Sequence, residues 1–211
     1  MNKKNSKPPQ FWEKAKKMLS NKDKKLSIII KSYPNEFLFS KSDPFFTLAK
    51  SIVGQQISVR AAQKIWERLE IKVINIKPTT IIKTHSNTLK SIGLSRQKVN
   101  YLKNLSRAFI EKKINLNSWT KMSDEEIIQD LTQIKGIGRW TAEMFLIFNL
   151  CRSDIFPLDD IGMIRGLCKL HNIPYPPKKE TLIKIGKKWK PYRSVATWYL
   201  WRSLDPIPVE Y

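Results

Sequence analysis

Leu131–Asp160 reads LTQIKGIGRWTAEMFLIFNLCRSDIFPLDD and joins a glycine hairpin, Lys135-Gly136-Ile137-Gly138, to a carboxylate pair, Asp159-Asp160, at a fixed remove. Just upstream, Ser123-Asp124-Glu125-Glu126 has the Ser-x-x-Glu form of a capping box and opens a helix predicted to run to about Ile134. A second helix leaves the hairpin at Arg139 and carries Met144, Phe145, Ile147, Phe148 and Leu150. Two glycines two apart let the backbone turn with its N–H groups outward at a helix N-terminus, a geometry that receives a phosphate oxygen without any side chain. Any tight helix–turn–helix corner can read Gly-x-Gly. Context gives this one its meaning, because Ile134 and Ile137 are apolar where the hairpin must pack and a long apolar helix lies behind it. The implied ligand is a nucleic-acid backbone gripped without regard to base sequence.

Outward from that stretch, almost every segment repeats its apolar residues with helical period and almost none alternates with period two, so the fold is predicted all-α. Helices are expected over Phe11–Leu19 and Lys22–Lys31, from Asp43-Pro44 to Gly54, over Val59–Leu69 behind Ser58, and over Thr79–Thr84 and Thr88–Ile92. Further helices follow from Ser95 to about Glu111, then over Met163–His171, Thr181–Trp189 and Ser194–Leu204, the prolines of Asn172–Pro177 forbidding continuous helix between the first two of these three. The basic start, MNKKNSKPPQ, is expected to be poorly ordered and has no signal-peptide core, and no apolar run reaches membrane length. A cytoplasmic, nucleoid-associated monomer with no membrane contact is the expectation.

Thirty-nine Lys plus Arg against eighteen Asp plus Glu leave +21 on 211 residues, a surplus that attracts polyanions from a distance, although a Lys-, Ile- and Asn-rich composition also arises from an AT-biased genome. An apolar share of 41% can bury a sizeable core. Two cysteines, Cys151 and Cys168, with His85 and His171 far away in sequence, cannot make a four-ligand zinc or iron–sulfur site by themselves, and the cysteines read as free and structural.

Five segments lie in order along about Phe11–Leu204: Gly54-Gln55-Gln56-Ile57-Ser58, Ile92-Gly93-Leu94-Ser95-Arg96-Gln97-Lys98, the hairpin with Trp140-Thr141-Ala142, Leu158-Asp159-Asp160, and Trp189-Lys190-Pro191-Tyr192-Arg193-Ser194. Together they resemble the helix–hairpin–helix DNA glycosylases, and within them the 3-methyladenine DNA glycosylase II branch. The resemblance implies two helical lobes, residues 1–42 with 151–211 and residues 43–150, with the helix–hairpin–helix motif over about 123–150 beside a central DNA-binding cleft. It implies double-stranded DNA containing damaged bases as partner, and hydrolysis of the N-glycosidic bond of alkylated purines such as 3-methyladenine or 7-methylguanine to initiate base excision repair.

Residue by residue, the resemblance makes Asp160 the catalytic carboxylate that stabilises positive charge on the sugar and positions water. Asp159 then becomes a helix cap or supporting charge, while a role for Asp160 as no more than a helix cap stays open. Trp140 stands where lyase members carry a lysine nucleophile; tryptophan cannot form a Schiff base, so a monofunctional enzyme without lyase activity is expected. Trp140 and Trp201 would wall the pocket for a flipped base, unless both are core aromatics. Met144 and Ile161 would complete the walls, each replacing an aromatic found in some close relatives. The hairpin residues Gly136, Ile137, Gly138, Arg139 and Thr141 would hold the DNA backbone. Gln56 would wedge into the gap left by the flipped base, although a surface glutamine starting a helix looks the same. No cofactor is required; the resemblance alone suggests a structural Na⁺ or K⁺ on the backbone carbonyls of Thr132, Ile134 and Ile137. The iron–sulfur motif of the endonuclease III branch is absent, and the chain is expected to be too short at its start for the extra β-rich domain of longer members. A non-catalytic module holding DNA or structured RNA with the same hairpin is the alternative.

Overall fold

The computed structural model describes residues 7–40, 43–114, 116 and 118–205, and every regular element among them is a helix. In chain order these are α1 (Trp12–Lys22), α2 (Lys24–Ser32), α3 (Pro44–Gly54), α4 (Val59–Lys72), α5 (Pro78–Lys83), α6 (Ser86–Ser91) and α7 (Arg96–Ile110). A 3₁₀ turn at Ser118–Thr120 precedes α8 (Asp124–Thr132), α9 (Arg139–Phe148), α10 (Ile161–His171), α11 (Lys179–Lys188) and α12 (Arg193–Arg202). The described residues divide into two compact units, one within 7–40 and 150–205 and the other within 43–149. Residues 1–6 of the basic start lie outside the described residues. Among the described residues no helix is long and apolar enough to cross a membrane.

The second unit holds α3 to α9. Its helix starts are set locally: Asp43 accepts the Phe46 N–H at 3.0 Å ahead of Pro44, Ser58 and Ser95 cap α4 and α7, and both arms of the Ser123/Glu126 capping box are formed. Helix α9 is buried at every residue from Thr141 to Phe148 and packs on α3 and α8, while α3 also packs on α7. Aromatic edges lock these contacts, Phe46 on Trp66 at 4.8 Å, Phe45 on Phe109 at 5.3 Å and Trp119 on Phe145 at 5.0 Å.

The first unit is built around α12, buried at every residue from Ser194 to Trp201 and packed on α1, α2 and α10. Trp12 of α1 meets Trp198 edge-to-face at 5.4 Å. Helix α11 contributes Leu182 and Gly186 to the interior and exposes Lys179, Lys184, Lys187 and Lys188. Several boundaries differ from the sequence reading. Helix α1 runs on to Lys22, because Asp23, rather than a residue before Lys22, caps the next helix. Helix α8 ends at Thr132 instead of about Ile134, where the Ile134 N–H bonds Leu131 O at 3.1 Å in a tightened last turn.

Asp23 is the polar hub of this unit. One carboxylate oxygen accepts the Lys25 and Leu26 N–H groups at 3.1 Å, and the other accepts Trp189 Nε1 at 3.0 Å, with His171 Nε2 in ion-pair contact at 3.3 Å rather than in an aligned hydrogen bond. Burial pushes the Asp23 carboxyl up, but His171, the Leu26 N–H and Trp189 together outweigh it and hold the pKa well below the usual carboxylate range. A depressed pKa stabilises the fold in full above the unfolded value of about 3.9, and that contribution is lost as pH falls below it. Asp23→Ala is therefore expected to cost about 3 kcal/mol at pH 7, from the lost cap and the orphaned indole N–H. In chemical denaturation the gap between wild type and variant should narrow from pH 6 to pH 3; an equal gap at both would contradict the account.

Candidate active site and nucleic-acid interface

The hairpin turns at Gly136, whose φ of +111° lies in the left-handed region. A Cβ there would sit 2.3 Å from Cγ of Tyr101, so the ring of a residue on α7 occupies the space that any other residue would need. Two further groups brace the turn from outside: Asn104 Nδ2 donates to Lys135 O at 3.2 Å, and Gln55 Nε2 donates to Gly136 O at 3.0 Å and to Thr141 Oγ1 at 2.9 Å. A planar trans peptide points its C=O and N–H oppositely, so fixing Lys135 O on α7 turns the Gly136 N–H away from it. At Gly138, with φ −92°, a Cβ would meet nothing within 4 Å. Gly138 is the N-cap of α9 and has no side chain with which to cap that helix's first N–H groups.

Beside the hairpin lies a cavity of about 300 Å³ lined by it, by Gln55 and Gln56, and by Ser95, Lys98 and Tyr101 from the start of α7. Gln56 is exposed at the tip of the α3–α4 turn, with φ 56°, and its neighbour Ile57 is 38% exposed. Lys98 Nζ donates to Val53 O, at the end of α3, at 2.7 Å, and burial lowers its pKa.

These positions revise the expected backbone-binding set. Gly136, Gly138 and the start of α9 are placed on the hairpin's rim. Ile137 is instead buried at 4% exposure with its N–H committed to Ile134 O at 2.9 Å. Thr141 is 1% exposed and its hydroxyl is held by Gln55. Arg139 makes a bidentate pair with Glu125, at 2.8 and 2.9 Å, and reaches Glu143 at 3.2 Å, so its guanidinium is engaged in joining α8 to α9. Trp140 is half-buried, whereas Met144 is fully buried with its neighbours along α9 and forms no accessible wall. Sequence reasoning missed Gln55, Tyr101 and Asn104. The pairing of two glutamines in the Gly54-Gln55-Gln56 run is the sole local signal for any of them.

The first unit carries the carboxylate. Asp160, 8% exposed, is the N-cap of α10: its Oδ1 accepts the Met163 N–H at 2.6 Å and Trp201 Nε1 at 2.7 Å. Asp160, not Asp159, is the cap; Asp159 lies exposed in the preceding turn, closed by the Asp160 N–H to Pro157 O bond of 3.0 Å, and α10 therefore starts at Ile161 rather than Met163. Trp201, 6% exposed, thus orients the carboxylate instead of merely filling the core. Gly162 makes room for this: a Cβ there would approach Trp201 Cδ1 to 3.0 Å and Asp160 Oδ1 to 3.2 Å. Ile161 is 56% exposed beside it. Cys151 and Cys168 are unpaired, with burial raising both thiol pKa values, and no group of three His, Cys, Asp or Glu among the described residues is placed to hold a metal.

The chain is similar to known proteins. The family model described as HhH-GPD superfamily base excision DNA repair protein matches residues 49–191. DNA-3-methyladenine glycosylase 1 of Schizosaccharomyces pombe is 34% identical over 184 residues, covering 85% of this chain and 81% of that protein. The solved S. pombe 3-methyladenine DNA glycosylase in complex with abasic DNA superposes with a TM-score of 0.82 at 34% identity, over 90% of this chain and 96% of that one. A DNA-3-methyladenine glycosidase structure from Bacillus halodurans gives a TM-score of 0.71 at 33% identity, over 90% and 88% of the two chains.

The two hairpin glycines should behave differently. Gly136→Ala meets both a left-handed backbone and the Tyr101 ring, and should cost about 3 kcal/mol of unfolding free energy. Gly138→Ala meets neither and should cost at most about 1 kcal/mol. Equal losses in denaturant titrations would remove the distinction.

Proposed function

The chain belongs to the HhH-GPD superfamily of base excision DNA repair proteins, and we propose that it is a monofunctional DNA glycosylase that flips an alkylated purine of the 3-methyladenine or 7-methylguanine type from duplex DNA and hydrolyses its N-glycosidic bond. The observation that carries this reading is Asp160, a buried carboxylate whose Oδ1 is fixed by two donors on the unit that also supplies Trp201. As the C1′–N bond breaks, its electron pair leaves with the base, which alkylation has already made cationic and hence a good leaving group. Positive charge builds on C1′ and the ring oxygen, and a carboxylate held in place stabilises it without reorganising. Water then adds to C1′ and passes a proton to Asp160, leaving an abasic sugar and a free base.

Trp140, half-buried in the first turn of α9, offers an indole face to the extruded base, and such a face attracts a cationic purine. Gln56 enters the gap left in the stack. Gly136, Gly138 and the first turn of α9 receive the phosphate; Gly138, required by nothing inside the protein, is explained by the close approach of the backbone. The carbonyls of Thr132, Ile134 and Ile137 follow the C-terminus of α8, where the helix dipole favours a cation. An all-oxygen set suits Na⁺ or K⁺, and Ile134 O keeps a second lone pair beside its bond from the Ile137 N–H. A cation there would offset phosphate charge. Hydrolysis proceeds without a protein–DNA covalent bond, since position 140 offers no amine.

Asp160→Asn keeps an oxygen able to accept from both Met163 and Trp201, and asparagine caps helices as well as aspartate. It should fold and bind DNA like wild type while releasing methylpurines at least about a hundredfold more slowly from methylated duplex. Wild-type product strands should break after mild alkali alone, and borohydride should trap no adduct. Binding without base release from any methylated, deaminated or oxidised duplex would replace the enzyme with a binding module.

A further inference from the structure

The glutamine beside the wedge position makes two long-range hydrogen bonds. Gln55 Nε2 faces Gly136 O and Thr141 Oγ1, 81 and 86 residues away in sequence. A carbonyl oxygen can only accept, so the atom facing Gly136 must be the amide nitrogen, and its two hydrogens serve the two acceptors. The next residue, Gln56, holds φ 56°, a conformation disfavoured for any residue with a Cβ and kept only where the surroundings over-determine it. Three contacts over-determine it: Lys98 ties Val53 O before the turn at 2.7 Å, Ser58 caps α4 after it, and Gln55 pins its base to the hairpin.

We propose that Gln55 is a positioning residue that yokes the Gln56-Ile57 turn to the phosphate-gripping hairpin, so that gripping the backbone and probing the stack beside it occur in one rigid register. The inference rests on the function proposed above. Without the yoke the turn still exists, but its tip is no longer set at a fixed distance from the hairpin, and discrimination between a vacated and an intact stack falls. Binding that uses the hairpin and the lysines is common to damaged and undamaged duplexes and cancels in their ratio.

The test compares affinity for a duplex containing one abasic site with affinity for the same duplex undamaged, a ratio that needs no turnover. Gln55→Met, matched in length but without donors, should lower the ratio about tenfold, the effect of about one hydrogen-bonded contact, while any loosening of the hairpin weakens both duplexes alike and cancels in the ratio. In the Gln56→Ala background the same substitution should do almost nothing further, because it acts through that side chain. Thr141→Val, at a buried position that DNA cannot reach, should lower the ratio about threefold, and Thr141→Ser should restore it. The Thr141 pair keeps the test decisive if Gln55→Met misfolds. An unchanged ratio in Gln55→Met or Thr141→Val, or losses that multiply in the double variant, would overturn the proposal. If methylated duplex yields no free base while the coupled losses persist, the glycosylase reading fails and the yoke stands; base release with a Gln55-independent ratio gives the reverse.

Discussion

The ring of Tyr101 lies where any residue but glycine at 136 would place its Cβ, and this one contact sets the second unit's working surface. It reserves for glycine the position at which the chain makes its left-handed turn between α8 and α9, the turn after which α9 starts. Because α9 is buried from Thr141 onward, its axis cannot adjust to a poor hairpin, and because α3 packs on α9 the wedge turn inherits the same frame. A grip with no side chains of its own is thereby made rigid by side chains from α7 and the end of α3.

The carboxylate of the first unit is placed by a different economy. Asp160 serves at once as helix cap, as acceptor for an indole N–H and as the proposed reacting group. Two of these roles are structural, and they hold the side chain in one rotamer before any substrate arrives, which is the condition for stabilising charge without reorganisation. Cap and proposed reacting group are compatible roles, because the capping bond fixes the direction in which the carboxylate points.

Local chemistry was readable from the chain. The caps at Asp43, Ser58, Ser95 and Ser123 each act within three residues, and the helix starts follow from them. What escaped depends on partners far off in sequence. Arg139 looked like a phosphate ligand because nothing near it in sequence announces that Glu125, fourteen residues back, holds its guanidinium. Met144 looked like a pocket wall because the substituted position was known but the burial of all of α9 was not. Gln55 and Gln56 are chemically identical neighbours, and a turn of one residue sends one inward to the hairpin and the other to solvent. Asp159 and Asp160 were likewise separable only once the turn before α10 had a register.

The lysines exposed along α11 belong to a chain carrying +21, and like charges crowded on a compact body push it apart. Free in dilute buffer the protein works against its own repulsion, and a polyanion laid on it relieves the strain, so the fold and its ligand are thermodynamically linked. Added salt then drives two equilibria in opposite directions. Screening steadies the unbound protein while it loosens the complex. Stability and affinity in this molecule cannot be raised together by ionic strength, and the conditions that best preserve it in storage are those in which it holds DNA least.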